Sequence, residues 1–183
     1  MKIVASTIVP VVPAKRAGGT GRKGVLDMMF VKSYALGSRV LARTGCRRLP
    51  AASGIYGVYA CPFDARAQTV SLWRLLYLGE AANMQDRVLG HEKWPEWRRH
   101  LDLGQELCLN AALIFGNDDR RRAEAAMIRQ HEPPCNAAYR DSFPFDMTTV
   151  TTSGANALMS SGIHGSPDRE RACTDLGRVG GRW

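Results

Sequence analysis

The stretch Gly54-Ile55-Tyr56-Gly57-Val58-Tyr59-Ala60 reads as a β-strand, yet it carries two glycines and two tyrosines in seven residues. Aromatic and β-branched residues suit a pleated, half-buried surface. Glycine weakens a strand and marks a bulge or a close approach. A second stretch, Leu75-Leu76-Tyr77-Leu78-Gly79, repeats the association at Tyr77 and Gly79. Between them PFDARAQ (62–68) is polar, and TVSLWRLLYLG (69–79) is apolar again. Two strands joined by a loop longer than the tight two-residue kind are expected.

Outward from this hairpin, Asn83 can cap a helix that carries Met84, Val88 and Leu89. WPEWRRHLD (94–102) reads as a loop with a short helical turn. ELCLNAALIFG (106–116) is apolar and bounded by glycine, which gives a third strand. Asn117, Asp118 or Asp119 is expected to cap a second helix, RRRAEAAMIRQHE, which Pro133-Pro134 stops. The order β-β-α-β-α predicts an α+β fold, a small three-stranded antiparallel sheet flanked by helices. This unit is assigned to residues 49–147, an ordinary size for one domain.

Charge is unevenly spread over the net +8. Residues 1–50 hold ten Lys or Arg against one acid, Asp27, whereas residues 51–147 hold eleven basic and thirteen acidic residues. Residues 1–48 therefore read as a basic, partly flexible N-terminal arm, suited to a polyanion and equally to a solvated leader. AKRAGGTGRKG (14–24) is no P-loop, because Arg22 stands where a lysine is needed. Residues 25–43 read as a short amphipathic helix. Residues 148–183 are rich in Ser, Thr and Gly without periodicity, and a disordered tail is expected. The five cysteines are scattered and include no C-x-x-C pair. Neither a zinc cluster nor a disulfide framework is expected, and reduced thiols in a cytoplasmic protein are. No apolar run reaches the roughly 18 residues of a membrane span, so no membrane partner is expected. Two prolines in MKIVASTIVPVVPAKR speak against a signal peptide.

Six polar side chains stand at informative places. Tyr56 and Tyr77 lie on the two hairpin strands. Arg87 and His91 are four apart on the next helix and share a face. Glu124 lies on the second helix, and Asn136 follows its proline stop. This set resembles the GIY-YIG nuclease family. Gly54-Ile55-Tyr56 matches the first signature, and Tyr77-Leu78-Gly79 matches the second with leucine for isoleucine. AANMQDRVLGH resembles the family's helix with its arginine at Arg87, and AEAAMIRQHEPPCN resembles its last motif with Glu124 and Asn136. The likeness covers residues 51–140 or so. Each triplet alone is weak; five elements in order are a strong signal. Tyr56 and Tyr77 are further apart than in compact members, with residues 61–72 lengthening the hairpin. That link and the Arg-x-x-x-His pattern are more like the restriction-enzyme branch.

The resemblance implies a metal-dependent endonuclease that hydrolyses DNA phosphodiesters, with RNA also open. One Mg²⁺ or Mn²⁺ would be anchored by Glu124, since such hard ions keep several waters. Arg87 would fork onto the phosphate. The base is Tyr56 on family grounds or His91 on intrinsic pKa, with His91 also able to take the Tyr56 proton. Tyr77 would position water or phosphate, and Asn136 would hold the loop or a ligand. Glycines 54, 57 and 79 would let a DNA backbone or a helix approach the sheet. Arg98, Arg99, Arg120, Arg121 and Arg122 are candidate nucleic-acid contacts; three arginines at a helix start oppose its dipole and hint at an anion. His100 and His131 read as structural. Singly, each site residue has a plain reading: tyrosines pack sheets, and Glu124 can pair with Arg120 or Arg121. Two alternatives stand beside the nuclease: a DNA-binding module of the same fold without turnover, and a broad nuclease toxin or effector.

Overall fold

The computed structural model describes residues 24–35, 46, 48–64, 66, 69–70, 72–154, 158–160 and 162–166. Its elements run β1 (Gly24–Ala35), β2 (Gly54–Asp64), β3 (Thr69–Val70), β4 (Arg74–Ala81), α1 (Met84–Leu89), α2 (Trp94–Arg99), β5 (Gln105–Leu113), α3 (Asn117–His131), β6 (Thr148–Gly154) and β7 (Gly162–Gly165). The fold is α+β. At its centre β2 lies between β4 and β5, antiparallel to both. The short β3 continues the hairpin by pairing with the far end of β2.

Alternation along β2 divides the core. Tyr56, Val58 and Ala60 pack with Leu76, Leu109, Met84, Val88 and Trp97, which is the face covered by α1 and α2. Ile55, Tyr59 and Cys61 pack with Leu78, Ala123, Met127 and Ile128, which is the face covered by α3. The pairing of β2 with β4 skips Leu76, since Val58 faces Tyr77 and Tyr59 faces Leu75. An extra residue of this kind re-aims side chains. Here it leaves both Leu76 and Tyr77 against the α1–α2 face.

The flanks correct two expectations. In place of a helix over 25–43, Gly24–Ala35 is a strand, antiparallel to β5 and parallel to β6. A short apolar run such as VLDMMFV suits a strand within a sheet as well as a helix, and the outer edge of β5 decides for the strand. Residues 1–23 and 36–45 of the expected arm lie outside the described residues. The stretch from Thr148 is not structureless either. Thr148, Val150 and Thr152 are buried and alternate with more exposed neighbours. That period of two, in a threonine-rich segment, belongs to a half-buried strand. β6 and β7 pair with each other, so the sheet draws strands from both sides of residues 49–147. Residues 167–183 lie outside the described residues.

A third correction concerns the thiols. Cys61 on β2 and Cys108 on β5 form a disulfide across a sequence separation of 47. Spacing gave no sign of it, because only the register, with Tyr59 opposite Cys108 and Cys61 opposite Glu106, sets them diagonally together. Cys46 and Cys135 are free and buried. No helix among the described residues is long and apolar enough to cross a membrane.

Candidate functional site

The hairpin glycines make room for the protein's own side chains. Tyr56 stands opposite Gly79, and a Cβ on Gly79 would lie 2.5 Å from the Tyr56 hydroxyl. A Cβ on Gly57 would lie 2.6 Å from Asn110 Oδ1, which accepts the Gly57 N–H at 3.2 Å. The space expected to admit a nucleic-acid backbone is thus already filled at both positions. The expected approach of a helix does occur at Gly54, where Met84 of α1 comes within 2.8 Å of the Cβ position.

Above Gly79 four rings gather. The Tyr56 and Tyr77 centroids are 6.2 Å apart, and His91 lies 6.3 Å from Tyr56 and 5.2 Å from Tyr77. Trp97 of α2 closes the group at 4.6 Å from His91. Tyr56 is fully buried, and its hydroxyl has no hydrogen-bond partner among the described residues. Burial, with Tyr77 adding, pushes its pKa well above the ordinary 10, while Arg87 pulls it back. Burial and the Glu124 carboxylate raise the Tyr77 phenol to about 12. His91 accepts the Lys93 backbone N–H on Nδ1 at 3.1 Å. A neutral ring that accepts on Nδ1 carries its proton on Nε2, and that buried Nε2 finds no partner among the described residues. Burial, assisted by Arg87, lowers the His91 pKa to about 4.

Arg87 lies in the last turn of α1, a helix capped by Asn83, whose side chain accepts the Asp86 N–H; the helix ends at Leu89, so His91, expected on the same helix, falls in the turn beyond it. The Arg87 guanidinium is half-exposed and meets the exposed Glu92 through both Nη atoms, at 2.9 and 3.1 Å. This fork holds the Glu92 carboxyl down to about 2.

The outer edge of β4 is closed from the other side. Leu76 accepts the Cys135 N–H at 3.0 Å. The Asn136 carboxamide accepts the Leu78 N–H at 2.9 Å and donates to its carbonyl at 2.8 Å. The Glu124 carboxylate is bound by the Glu80 backbone, next along the same edge. Burial first, and the Glu80 carboxylate second, lift the Glu124 pKa to about 7. A cavity of about 220 Å³ opens here, lined by Tyr77, Lys93, Glu124, Asn136 and Tyr139 among others.

The six expected residues therefore divide. Tyr77, Glu124 and Asn136 share the cavity. Tyr56 and His91 sit in the ring cluster beside Tyr77, and Arg87 is near enough to act on both phenols. Asn136 ties its loop to Leu78 of β4 through both carboxamide atoms. Among the expected surface arginines, Arg120 is corrected. It is buried, and it donates to Glu80 at 2.5 Å, to Ser53 at 2.6 Å and to Asn117 at 2.9 Å. A buried guanidinium needs such partners. Arg122 lies 5.9 Å from the Phe145 ring centre and 3.9 Å from Asp146. Arg98, Arg99 and Arg121 are exposed, with Arg98 over the Trp94 ring. The capping expectation for α3 also shifts: Gly116 is the cap residue, and Asn117, Asp118 and Asp119 form the first turn.

Glu92, Lys93 and Trp97 escaped the sequence reading. The first two lie in the turn between α1 and α2, where periodicity carries no signal, and Trp97 belongs to a stretch read only as a loop with a short helical turn. Chemically the site joins a forked cation, phenols, an imidazole N–H and a hard carboxylate. No family model matches this chain, and neither a curated protein nor a solved structure matches it.

Proposed function

We propose that the protein is a metal-dependent endonuclease of the GIY-YIG kind that hydrolyses DNA phosphodiesters. The supporting observation is that Tyr56, Tyr77 and His91, from two strands and a following turn, gather within 6.3 Å between centroids. Arg87 and Glu124 lie near enough to act on both phenols.

The residues fit a hard divalent ion. Glu124 is an oxygen donor at a cavity wall, and its raised pKa marks a carboxylate whose ionisation a cation would favour. Among the described residues no group of three or more His, Cys, Asp or Glu could cage an ion, so Glu124 would hold Mg²⁺ or Mn²⁺ together with water. When bound, the ion supplies Lewis acidity to the phosphoryl and leaving 3′ oxygens.

Arg87 then forks onto the phosphate after leaving Glu92. Tyr56 is the base in this reading; its burial opposes ionisation, and Arg87 together with a bound cation would have to offset that. His91 donates through Nε2–H, so it stabilises charge on a phenolate or phosphoryl oxygen and does not collect a proton while Lys93 occupies Nδ1. Tyr77 orients water or phosphate from the cavity wall. Supercoiled plasmid incubated with Mg²⁺ or Mn²⁺ tests the proposal, beside Arg87→Ala and Glu124→Ala. Metal-dependent nicking by the parent protein alone is expected; equal nicking by all three would sink it.

The second reading, a DNA-binding module without turnover, draws on the full burial of the Tyr56 hydroxyl and on the clasp of Arg87 by Glu92. It expects salt-sensitive duplex binding with no cleavage under any divalent ion. The toxin or effector variant of the nuclease predicts cleavage of RNA as well as DNA.

A further inference from the structure

Lys93 borders the same cavity as Tyr77, Glu124 and Asn136. Its Nζ donates to Glu96 at 2.9 Å and to the Cys135 carbonyl at 2.9 Å. An ammonium has three donors, so one has no partner among the described residues. The nitrogen stands 5.9 Å from the centre of the Tyr77 ring. Cys135 and Asn136 are themselves fastened to Leu76 and Leu78 of β4. The long lysine stem is thus pinned to the sheet edge before any ligand arrives.

We infer that Lys93 is a substrate-binding residue, whose third N–H takes a non-bridging phosphate oxygen of a DNA strand lying along this cavity. The inference rests on the nucleic-acid reading of the site. Three considerations carry it. A pinned side chain loses little rotamer freedom on binding, which is the usual cost of a lysine contact. Glu124 on the same wall would repel a phosphate by itself, and a cation beside it offsets that repulsion. Lys93 borders the cavity that Tyr77 lines, and the Arg87 guanidinium acts electrostatically on the same phenol, so both cations belong to the neighbourhood a bound backbone would occupy.

Equilibrium binding of a short labelled DNA duplex, in EDTA and over a series of KCl concentrations, tests this. Each phosphate contact contributes about 0.9 to the slope of log K against log salt. Lys93→Met should make that slope shallower by about one contact and weaken binding several-fold, and Lys93→Arg should restore the slope. A purely structural role for Lys93 can weaken binding but leaves the slope alone, and an unchanged slope overturns the inference. Should Lys93→Met fail to fold, Glu96→Gln decides. It removes the carboxylate that neutralises Lys93, and about two- to fivefold tighter binding is expected; equal affinity overturns the inference. Absence of wild-type binding at every salt concentration would overturn the underlying reading as well. An unchanged slope alongside wild-type binding removes Lys93 only.

Discussion

The Asn136 side chain grips Leu78 by both backbone groups, accepting its N–H at 2.9 Å and donating to its carbonyl at 2.8 Å. A carboxamide here does what a neighbouring strand would do. It closes the outer edge of β4 at the leucine between Tyr77 and Gly79. Replacing it by Ala strands two buried backbone groups, and a loss of roughly 2–4 kcal/mol is expected. Asn136→Asp keeps an acceptor but loses the donor. Urea unfolding of both variants checks this, and a loss below about 0.5 kcal/mol for Asn136→Ala would contradict it.

Gly79 and Tyr56 should be energetically coupled. A methyl group at Gly79 would meet the Tyr56 hydroxyl at 2.5 Å, Cζ at 2.6 Å and Tyr77 Cε1 at 2.8 Å. Gly79→Ala is expected to cost about 1–3 kcal/mol by overpacking. Tyr56→Phe removes the closest of the three atoms, so in a double-mutant cycle it recovers part of that cost. Strict additivity of the two changes would show that the hydroxyl does not occupy the space over Gly79.

Glu124 and His91 give stability opposite pH dependences. The Glu124 carboxyl titrates at about 7 in the fold against an ordinary 4.5. The folded state then binds the extra proton between those values, so its contribution is present at pH 4.5 and is lost as pH rises to 7. Metal-free Glu124→Gln should gain about 1–3 kcal/mol at pH 8 relative to wild type, and little at pH 4.5. His91 runs the other way. Its pKa falls from 6.5 to about 4, so the unfolded chain binds the proton in that window and stability drops as pH falls through it. Thermal unfolding from pH 4 to 8 in EDTA reads both. A Glu124→Gln gain independent of pH would be the wrong result.

Glu92 occupies the fork of Arg87. Both partners are largely exposed, and such pairs open readily. Glu92→Gln should leave the unfolding midpoint nearly unchanged. It should tighten duplex binding by about two- to fivefold, an effect that fades in high salt. No change in affinity at low salt would mean that Arg87 does not meet the phosphate.

Much of the centre was legible. Three strands and two main helices follow from the alternation in GIYGVYA, the apolar run before Gly116 and the cap at Asn83, because local patterning and packing agree there. What escaped the sequence was set by partners remote along the chain. VLDMMFV became a strand because β5 and β6 flank it. The Thr148 segment became one because it lies beside β1. Cys61 and Cys108 met through register alone. Arg120 turned inward because Glu80 waits beneath it. In the site, the residue types and their order were readable, whereas the clasp of Glu92 and the pinning of Lys93 belong to a turn with no periodic signature.

The parallel pairing of β1 with β6 bears on how the molecule can be dissected. A fragment trimmed to the motif-bearing span would discard β1 and both C-terminal strands. The outer flank of β5 would then present a row of unpaired amides and carbonyls, an adhesive border that invites neighbouring copies to dock. Attempts to isolate a minimal piece would meet precipitation first, because the scaffold is longer than the span that carries the motifs.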